Sequence, residues 1–274
     1  SPKRVKKVIV EELNAAAKKY GEPRRTSIVY GHEVEVYQEA AEIADYPVSV
    51  FLSREGYLKK ITPQSLRMSG EQKYKEGDGP AFHWETTSAA ELLFFTNRQQ
   101  CYKAFAHAFD DSKASVLGDY VASRLGFEEG ETAVAMVVTA DYSGYLLFFF
   151  ENGKAAKVEL SAYATKTNRR RLVGAYSDKS PLVAVLHVPE DREFLLTSTS
   201  GRRLLVHTGG IAAKSTRSTQ GVQVMTLKGQ HRLKDVVPFA EDMVTKPNRY
   251  RTKSLPAAGA MPLPEDIGEQ LTLE

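Results

Sequence analysis

Val48-Ser-Val-Phe-Leu-Ser-Arg-Glu-Gly-Tyr-Leu-Lys-Lys60 and Tyr145-Leu-Leu-Phe-Phe-Phe-Glu-Asn-Gly-Lys-Ala-Ala-Lys157 are two versions of one unit. Two more follow the same plan, Leu92-Leu-Phe-Phe-Thr-Asn-Arg-Gln-Gln-Cys-Tyr-Lys103 and Glu193-Phe-Leu-Leu-Thr-Ser-Thr-Ser-Gly-Arg-Arg-Leu-Leu-Val206. Each has an apolar run of strand length, a short polar turn, and a second strand that carries basic residues, the pattern of a β-hairpin. Glycine holds the turn at Gly56, Gly153 and Gly201, and Gln99 takes that place in the second copy; successive positions lie 43, 54 and 48 residues apart. A separate apolar strand precedes copies two to four, at 81–85, 133–138 and 182–188, and a matching run at 233–239 follows the fourth hairpin.

Periods of this size, each worth three or four short strands, mark a propeller-like array whose units bury their faces against one another. A two-sheet sandwich is the ordinary alternative, but it does not require a hairpin repeated at this spacing. The fold expected is therefore all-β, a propeller-like array of five or six blades. The run at 233–239 implies a final blade closed by another part of the chain. Ahead of the strands, Val5, Val8, Ile9, Leu13, Ala16 and Ala17 recur at helical spacing, and Gly21 with Pro23 stops a short N-terminal helix. The stretch after 244, rich in Pro and Ala, reads as an extended or flexible tail.

The chain has 274 residues and a net charge of +3, distributed unevenly. Residues 1–25 hold 8 Lys and Arg against 3 Asp and Glu; residues 26–141 hold 10 against 18; residues 142–234 hold 15 against 6; residues 235–274 hold 4 against 7. From Gly201 to Lys234 seven basic residues occur with no acidic one. That asymmetry implies one side suited to a polyanion. Lys59, Lys60, Lys103, Lys154, Lys157, Arg202 and Arg203 are expected on or just beyond the strand that leaves each turn. Alternation along a strand turns one member of each pair outward, and repetition about an axis lines such residues along a rim that suits DNA phosphates. Two loops repeat the theme, Lys166-Thr-Asn-Arg169-Arg170-Arg171 and Lys214-Ser-Thr-Arg217. Their guanidinium, hydroxyl and amide groups are phosphate donors.

No run approaches the roughly 18 apolar residues that a membrane span needs, so no membrane is expected as a partner. The single cysteine, Cys101, excludes an internal disulfide or a cysteine-cluster metal site and reads as a packed strand residue of a cytoplasmic protein. The six histidines are scattered, no P-loop occurs, and no acidic pair marks a magnesium site. Trp84 and the phenylalanines at 94–95 and 148–150 read as core. Arg249-Tyr250 lies in the tail with no fold expected to hold it. Catalytic residues, metal ligands and cofactors are thus expected to be none for this chain.

Several segments resemble the C-terminal part of the A subunit of bacterial type IIA topoisomerases, over roughly residues 8 to 240. Glu11-Glu-Leu followed by Lys18-Lys-Tyr-Gly-Glu-Pro-Arg24-Arg-Thr26 looks like the end of that family's breakage-reunion core. Gly56-Tyr-Leu-Lys-Lys60, Phe95-Thr-Asn97, Asn152-Gly-Lys-Ala-Ala-Lys157 and Thr219-Gln-Gly-Val-Gln-Val-Met-Thr-Leu-Lys228 look like its blade sequences. The resemblance implies a β-pinwheel, a propeller variant with strands exchanged between neighbouring blades, that binds and bends duplex DNA around a basic edge. It divides the chain into a helical linker (1–25), a β-pinwheel DNA-binding domain (26–243) and an extended Pro-rich tail (244–274). It also implies a parent enzyme that uses ATP and Mg2+ and a B subunit met through the parent's own A-type chain.

Gyrases of the family carry a basic, glycine-rich box after the first blade hairpin, needed for chiral wrapping. Here the stretch is Gly70-Glu-Gln72-Lys73-Tyr-Lys75-Glu-Gly77-Asp-Gly79, in which Glu71, Glu76 and Asp78 dilute Lys73 and Lys75. The segment Val116-Leu-Gly-Asp-Tyr-Val-Ala-Ser resembles topoisomerase IV instead, which implies weak wrapping. A gyrase wrapping domain, a protein-interaction propeller and a propeller hydrolase are the alternatives. The last needs converging acidic or histidine residues that the spacing does not offer.

Overall fold

The computed structural model describes residues 1–22, 44–69, 71–165 and 170–267. The chain separates into two units, 1–42 and 43–274. The described part of the first is helix α1 (Pro2–Tyr20), ended by Gly21, whose N–H bonds back to the Ala17 carbonyl. Proline sits in its first turn and Lys18 and Lys19 in its last, both favourable placements.

The second unit is built from hairpins that hand a strand back to the preceding one. Strands β1 (Pro47–Ser53) and β2 (Tyr57–Ile61) form the first hairpin, and a short helix α2 (Pro63–Arg67) leads toward β3 (Pro80–Thr87), which returns beside β1. The second hairpin is β4 (Glu91–Thr96) with β5 (Gln100–Phe105). The chain then runs back to lay β6 (Asp119–Tyr120) on β2, turns through α3 (Val121–Leu125), and pairs β7 (Ala133–Thr139) with β4. The same path recurs with β8 (Tyr145–Phe150), β9 (Lys154–Glu159), β10 (Arg171–Val173) on β5, and β11 (Leu182–Val188) on β8. Last come β12 (Glu193–Ser198), β13 (Arg203–His207), β14 (Ala213–Lys214) and β15 (Val222–Gln223) on β9, and β16 (Leu233–Pro238) on β12.

The result is four blades in a propeller-like arrangement, not the five or six expected. The count falls because each of the first three blades takes its outermost strand from the segment after the next hairpin. These outermost strands are only two or three residues long, so they complete blades without adding any. Blade 4 has no successor, and the tail does that job. Leu205 N–H donates to the Tyr250 carbonyl at 2.8 Å, and Arg203 and Ala260 exchange backbone bonds at 2.8 and 2.9 Å. The stretch after 244 is not extended throughout: it turns at Pro247–Arg249 and Pro264–Ile267, and Asp266 ties its far end back to Thr245 and Tyr250.

The continuous apolar runs follow from this stacking. Alternate residues of β4 face opposite neighbours: Leu92 and Phe94 pack with Val48, Val50 and Leu52 of blade 1, while Leu93 and Phe95 pack with Leu146 and Phe148 of blade 3. A strand buried on both sides has no polar face, and its period-2 signal vanishes. Between blades 2 and 3, Phe148 lies 5.5 Å from Phe95 and 5.6 Å from Tyr176, pairs that each contribute about 0.5–1.5 kcal/mol beyond burial. Cys101 is fully buried there. Trp84 is half-buried on the inner strand β3, 6.4 Å from the His187 ring.

The turn position needs a left-handed backbone, which is why glycine recurs in it. Gly56, Gly153 and Gly201 have φ of +89°, +77° and +82°, and Gln99 is held at +54°. A second glycine position lies on the exchanged strands. A Cβ on Gly118, Gly221 or Gly259 would meet the carbonyl oxygen of Leu58, Ala155 or Arg203 at 2.2, 2.2 and 2.5 Å. Each of those carbonyls belongs to the residue two after a turn position.

Candidate nucleic-acid interface

Residues that leave the four turns do not all reach a rim. Lys60, Lys103 and Lys157 each stand four residues after the turn position, and all three are buried. Lys60 Nζ lies 3.0 Å from Asp111 and donates to the Tyr46 hydroxyl at 3.1 Å. Lys103 Nζ lies 3.2 Å from Glu91 and donates to the Tyr163 carbonyl and Thr165 Oγ1, both at 3.3 Å. Lys157 Nζ lies 2.6 Å from Asp191 and donates to the Thr208 carbonyl at 3.3 Å. Tyr46, Tyr142 and Tyr145 present their rings to the three ammonium groups at 5.4, 4.9 and 4.5 Å.

Each of these lysines thus fastens its strand to chain arriving from the next blade: Asp111 over blade 1, Tyr163 and Thr165 over blade 2, Thr208 over blade 3. Burial works against the Lys60 charge, but the Tyr46 hydroxyl and Asp111 outweigh it and raise its pKa. The Lys157 ammonium, followed by the Thr208 hydroxyl, holds the Asp191 carboxyl below its ordinary range. Blade 4 has Leu205 at this position, packed on Leu195, Val244 and Tyr250. The tail therefore latches by apolar contact where the other exchanges use an ammonium. Tyr250 is 1% exposed and its hydroxyl donates to Asp266, so the fold holds it firmly, against the sequence expectation.

Lys59 is buried as well, so both members of the Lys59–Lys60 pair face inward, contrary to the expected alternation. Its Nζ donates to Gln72 Oε1 at 3.1 Å and to the carbonyls of Lys73 and Ala114 at 2.7 and 3.1 Å. No carboxylate among the described residues offsets its burial, which lowers its pKa. These bonds clamp the glycine-rich stretch after the first hairpin. Asp78 completes the clamp by accepting the Glu55 and Gly79 N–H groups at 3.0 and 2.7 Å.

Of the remaining basic residues singled out in the sequence, Lys73 and Lys75 are exposed, and Lys75 is paired with Glu55 at 2.8 Å. Arg170 and Arg171 are exposed on the blade 2 edge, where Arg171 is paired with Glu128. Lys166 and Arg169 lie outside the described residues. Lys154, Arg202 and Arg203 are half-buried, Lys214 is exposed, and half-buried Arg217 rests over the Tyr163 ring at 5.9 Å.

Blades 2 and 3 present a continuous edge here. The Arg170 carbonyl accepts the Lys103 N–H at 2.8 Å, Lys103 Nζ reaches the Tyr163 carbonyl, and the Arg217 guanidinium donates to the Ala162 carbonyl at 3.3 Å. Exposed Lys228 on the loop before β16 was not singled out, although the acid-free run from Gly201 to Lys234 contains it. Among the described residues, Lys214, Arg217 and Lys228 have no carboxylate partner. No three His, Cys, Asp or Glu side chains among the described residues form a metal-binding group.

The chain is 30% identical over 176 residues to the A subunit of DNA topoisomerase 4 from Bacillus subtilis, a match that takes in 62% of the chain and 22% of the relative. It is also 30% identical over 172 residues to the A subunit of DNA gyrase from Streptomyces coelicolor, with 60% and 20% covered. This chain is a homologue of the A subunits of type IIA topoisomerases. It spans about a fifth of the length of these two relatives. The crystal structure of a topoisomerase IV C-terminal domain superimposes with a TM-score of 0.69 at 21% identity, covering 80% of this chain and 73% of that one. A gyrase A C-terminal domain superimposes at 0.53 and 17%, covering 78% and 76%. The fold of the blade unit is thus that of the β-pinwheel C-terminal domains of these A subunits. No family model matches the chain.

Proposed function

We propose that this chain is the non-catalytic, duplex-binding C-terminal module of a topoisomerase IV-like A subunit, and that it bends DNA along the outer edges of blades 3 and 4. The observation that carries this reading is the pairing state of the surface cations. Among the described residues, on blades 1 and 2 Glu55 and Glu128 neutralise Lys75, Arg98 and Arg171 and leave Lys73 and Arg170 unpaired, whereas Lys214, Arg217 and Lys228 on the later blades are free of carboxylates and stand in a run, 201–234, that holds no acidic residue. Unpaired cations on a rigid edge gain counterion-release energy from phosphates, and paired ones first have to give up a carboxylate.

The glycine-rich stretch 70–79 favours bending over chiral wrapping. It holds three acids, and it is bound to blade 1 by Lys59 and by the Glu55 N–H, which donates to Asp78. ATP, Mg2+ and the B subunit belong, on this reading, to the cytoplasmic holoenzyme and not to this module. Fluorescence anisotropy of a labelled duplex across salt concentrations tests the reading. Affinity is expected to fall steeply with salt, with little sequence preference; undetectable binding at low salt overturns it. Topoisomer analysis of relaxed plasmid bound by the chain distinguishes bending from gyrase-like wrapping, since only wrapping leaves chirally shifted topoisomers after religation.

A further inference from the structure

Beside the turn of blade 4, facing the loop that leads into β16, lies a cavity of about 380 Å³. Its polar lining comes from Ser198, Ser200, Arg202, Thr226, Lys228 and His231, and no carboxylate contributes. A recess of about 340 Å³ beside the blade 1 turn, facing the chain that leads into β7 of blade 2, includes Glu55. The loops into the inner strands of blades 2 and 4 also differ in charge, Phe127-Glu-Glu-Gly-Glu-Thr132 against Thr226-Leu-Lys-Gly-Gln-His-Arg232.

The groups around the blade 4 cavity are positioned. Arg202 donates to the Gly259 carbonyl at 2.8 Å, which orients the guanidinium and leaves further N–H donors free. Ser198 and Ser200 share a hydroxyl bond of 2.8 Å, and His231 Nδ1 lies 3.3 Å from Thr199 Oγ1. Arg232 is committed to Glu151 at 2.9 Å, whereas Lys228 has no partner among the described residues. An orienting guanidinium, an ammonium and two hydroxyls without an acid form a receptor for a tetrahedral oxyanion.

We infer that this cavity seats one backbone phosphate of the bound duplex and so registers the DNA on blade 4. The inference rests on the proposed duplex binding, and two measurements separate the two ideas. The first follows the His231 ring by NMR while inorganic phosphate is added, with chloride at matched ionic strength as control. A saturable shift with phosphate only is expected, lost in Arg202→Gln/Lys228→Gln. The second compares duplex anisotropy for the full chain, that double variant, and Lys228→Gln alone, whose exposed side chain supports nothing in the fold.

The double variant is expected to raise Kd about tenfold, as for a lost charge-assisted contact, and Lys228→Gln by a smaller factor. The slope of log K against log salt should fall by about 0.9, the loss of one phosphate. Duplex binding left unchanged by both variants overturns the cavity as a DNA site and leaves the proposed function standing. A His231 shift with phosphate in a chain that binds no duplex overturns the proposed function and keeps the cavity as a site for a free phosphate. A His231 ring indifferent to phosphate, with unchanged duplex affinity, overturns the inference outright.

Discussion

Blades 1 and 2 and blades 3 and 4 are built on one plan, yet they carry their charges differently. In the first half the loop into β7 is acidic, and Glu128 takes up both Arg98 and Arg171. In the second half the loop into β16 is basic, and one acid, Glu151, answers only Arg232. Inside, blades 1 to 3 are alike, because Lys60, Lys103 and Lys157 use the same position for the same purpose, and only blade 4 departs, with Leu205. A lysine count therefore says little about this surface. What matters is whether chain from elsewhere covers a lysine, as it does at Lys59, Lys60, Lys103 and Lys157, or leaves it exposed.

The largest effect expected is on the internal lysines. Lys103→Met should destabilise the fold by about 2–4 kcal/mol in urea unfolding, because it leaves Glu91, only 17% exposed, without its cation. Adding Glu91→Gln should recover part of the loss. Lys157→Met should cost less, since Asp191 is 38% exposed and can rehydrate. Equal losses at the two positions would break the idea that burial of the carboxylate sets the energy.

Next in size are the crossing glycines. Gly221→Ala puts a Cβ 2.2 Å from the Ala155 carbonyl at a φ of +71°, and a loss of about 1–3 kcal/mol is expected. Gly174→Ala on blade 2 meets open space at φ +64°, so only the left-handed backbone is penalised, by about 1 kcal/mol. Thermal unfolding of the pair shows whether close approach adds to conformation.

The surface comparison gives a smaller effect. Lys214→Gln/Arg217→Gln should weaken duplex binding about tenfold and flatten its salt slope by nearly 2. Lys73→Gln/Lys75→Gln on blade 1 should change Kd less than twofold. The reverse order would move the DNA edge to the first half.

Smallest is the acid response of the tail latch. Burial opposes the Asp266 charge, but hydrogen bonds from Tyr250 and Thr245 bring its pKa down to about 2. A carboxyl depressed in the folded state adds stability above the ordinary aspartate pKa near 4 and loses it as the pH falls toward 2. Asp266→Asn should flatten that part of the stability profile, read from urea midpoints between about pH 2 and 5.

Much of this was legible in the residues. The hairpins, the inner strands and the buried Cys101 lie where periodicity and turn residues put them, since those signals are local. The exchanged strands were not, because β6, β14 and β15 are two residues long and carry no period to read. A signal did exist in the crossing glycines: Gly259 marks the tail beside blade 4 as Gly118 and Gly221 mark the exchanges onto blades 1 and 3. It becomes recognisable only once the carbonyl that it touches is known.

Sequence alone determined that four hairpins recur and that positive charge gathers after residue 141, because strand pattern and charge are properties of the chain. Tertiary structure decided that Lys59, Lys60, Lys103 and Lys157 face inward and that the tail completes blade 4. A lysine can be buried only where a carboxylate, carbonyl or aromatic ring from elsewhere in the chain reaches it, and only folding brings Asp111 to Lys60 or Thr208 to Lys157.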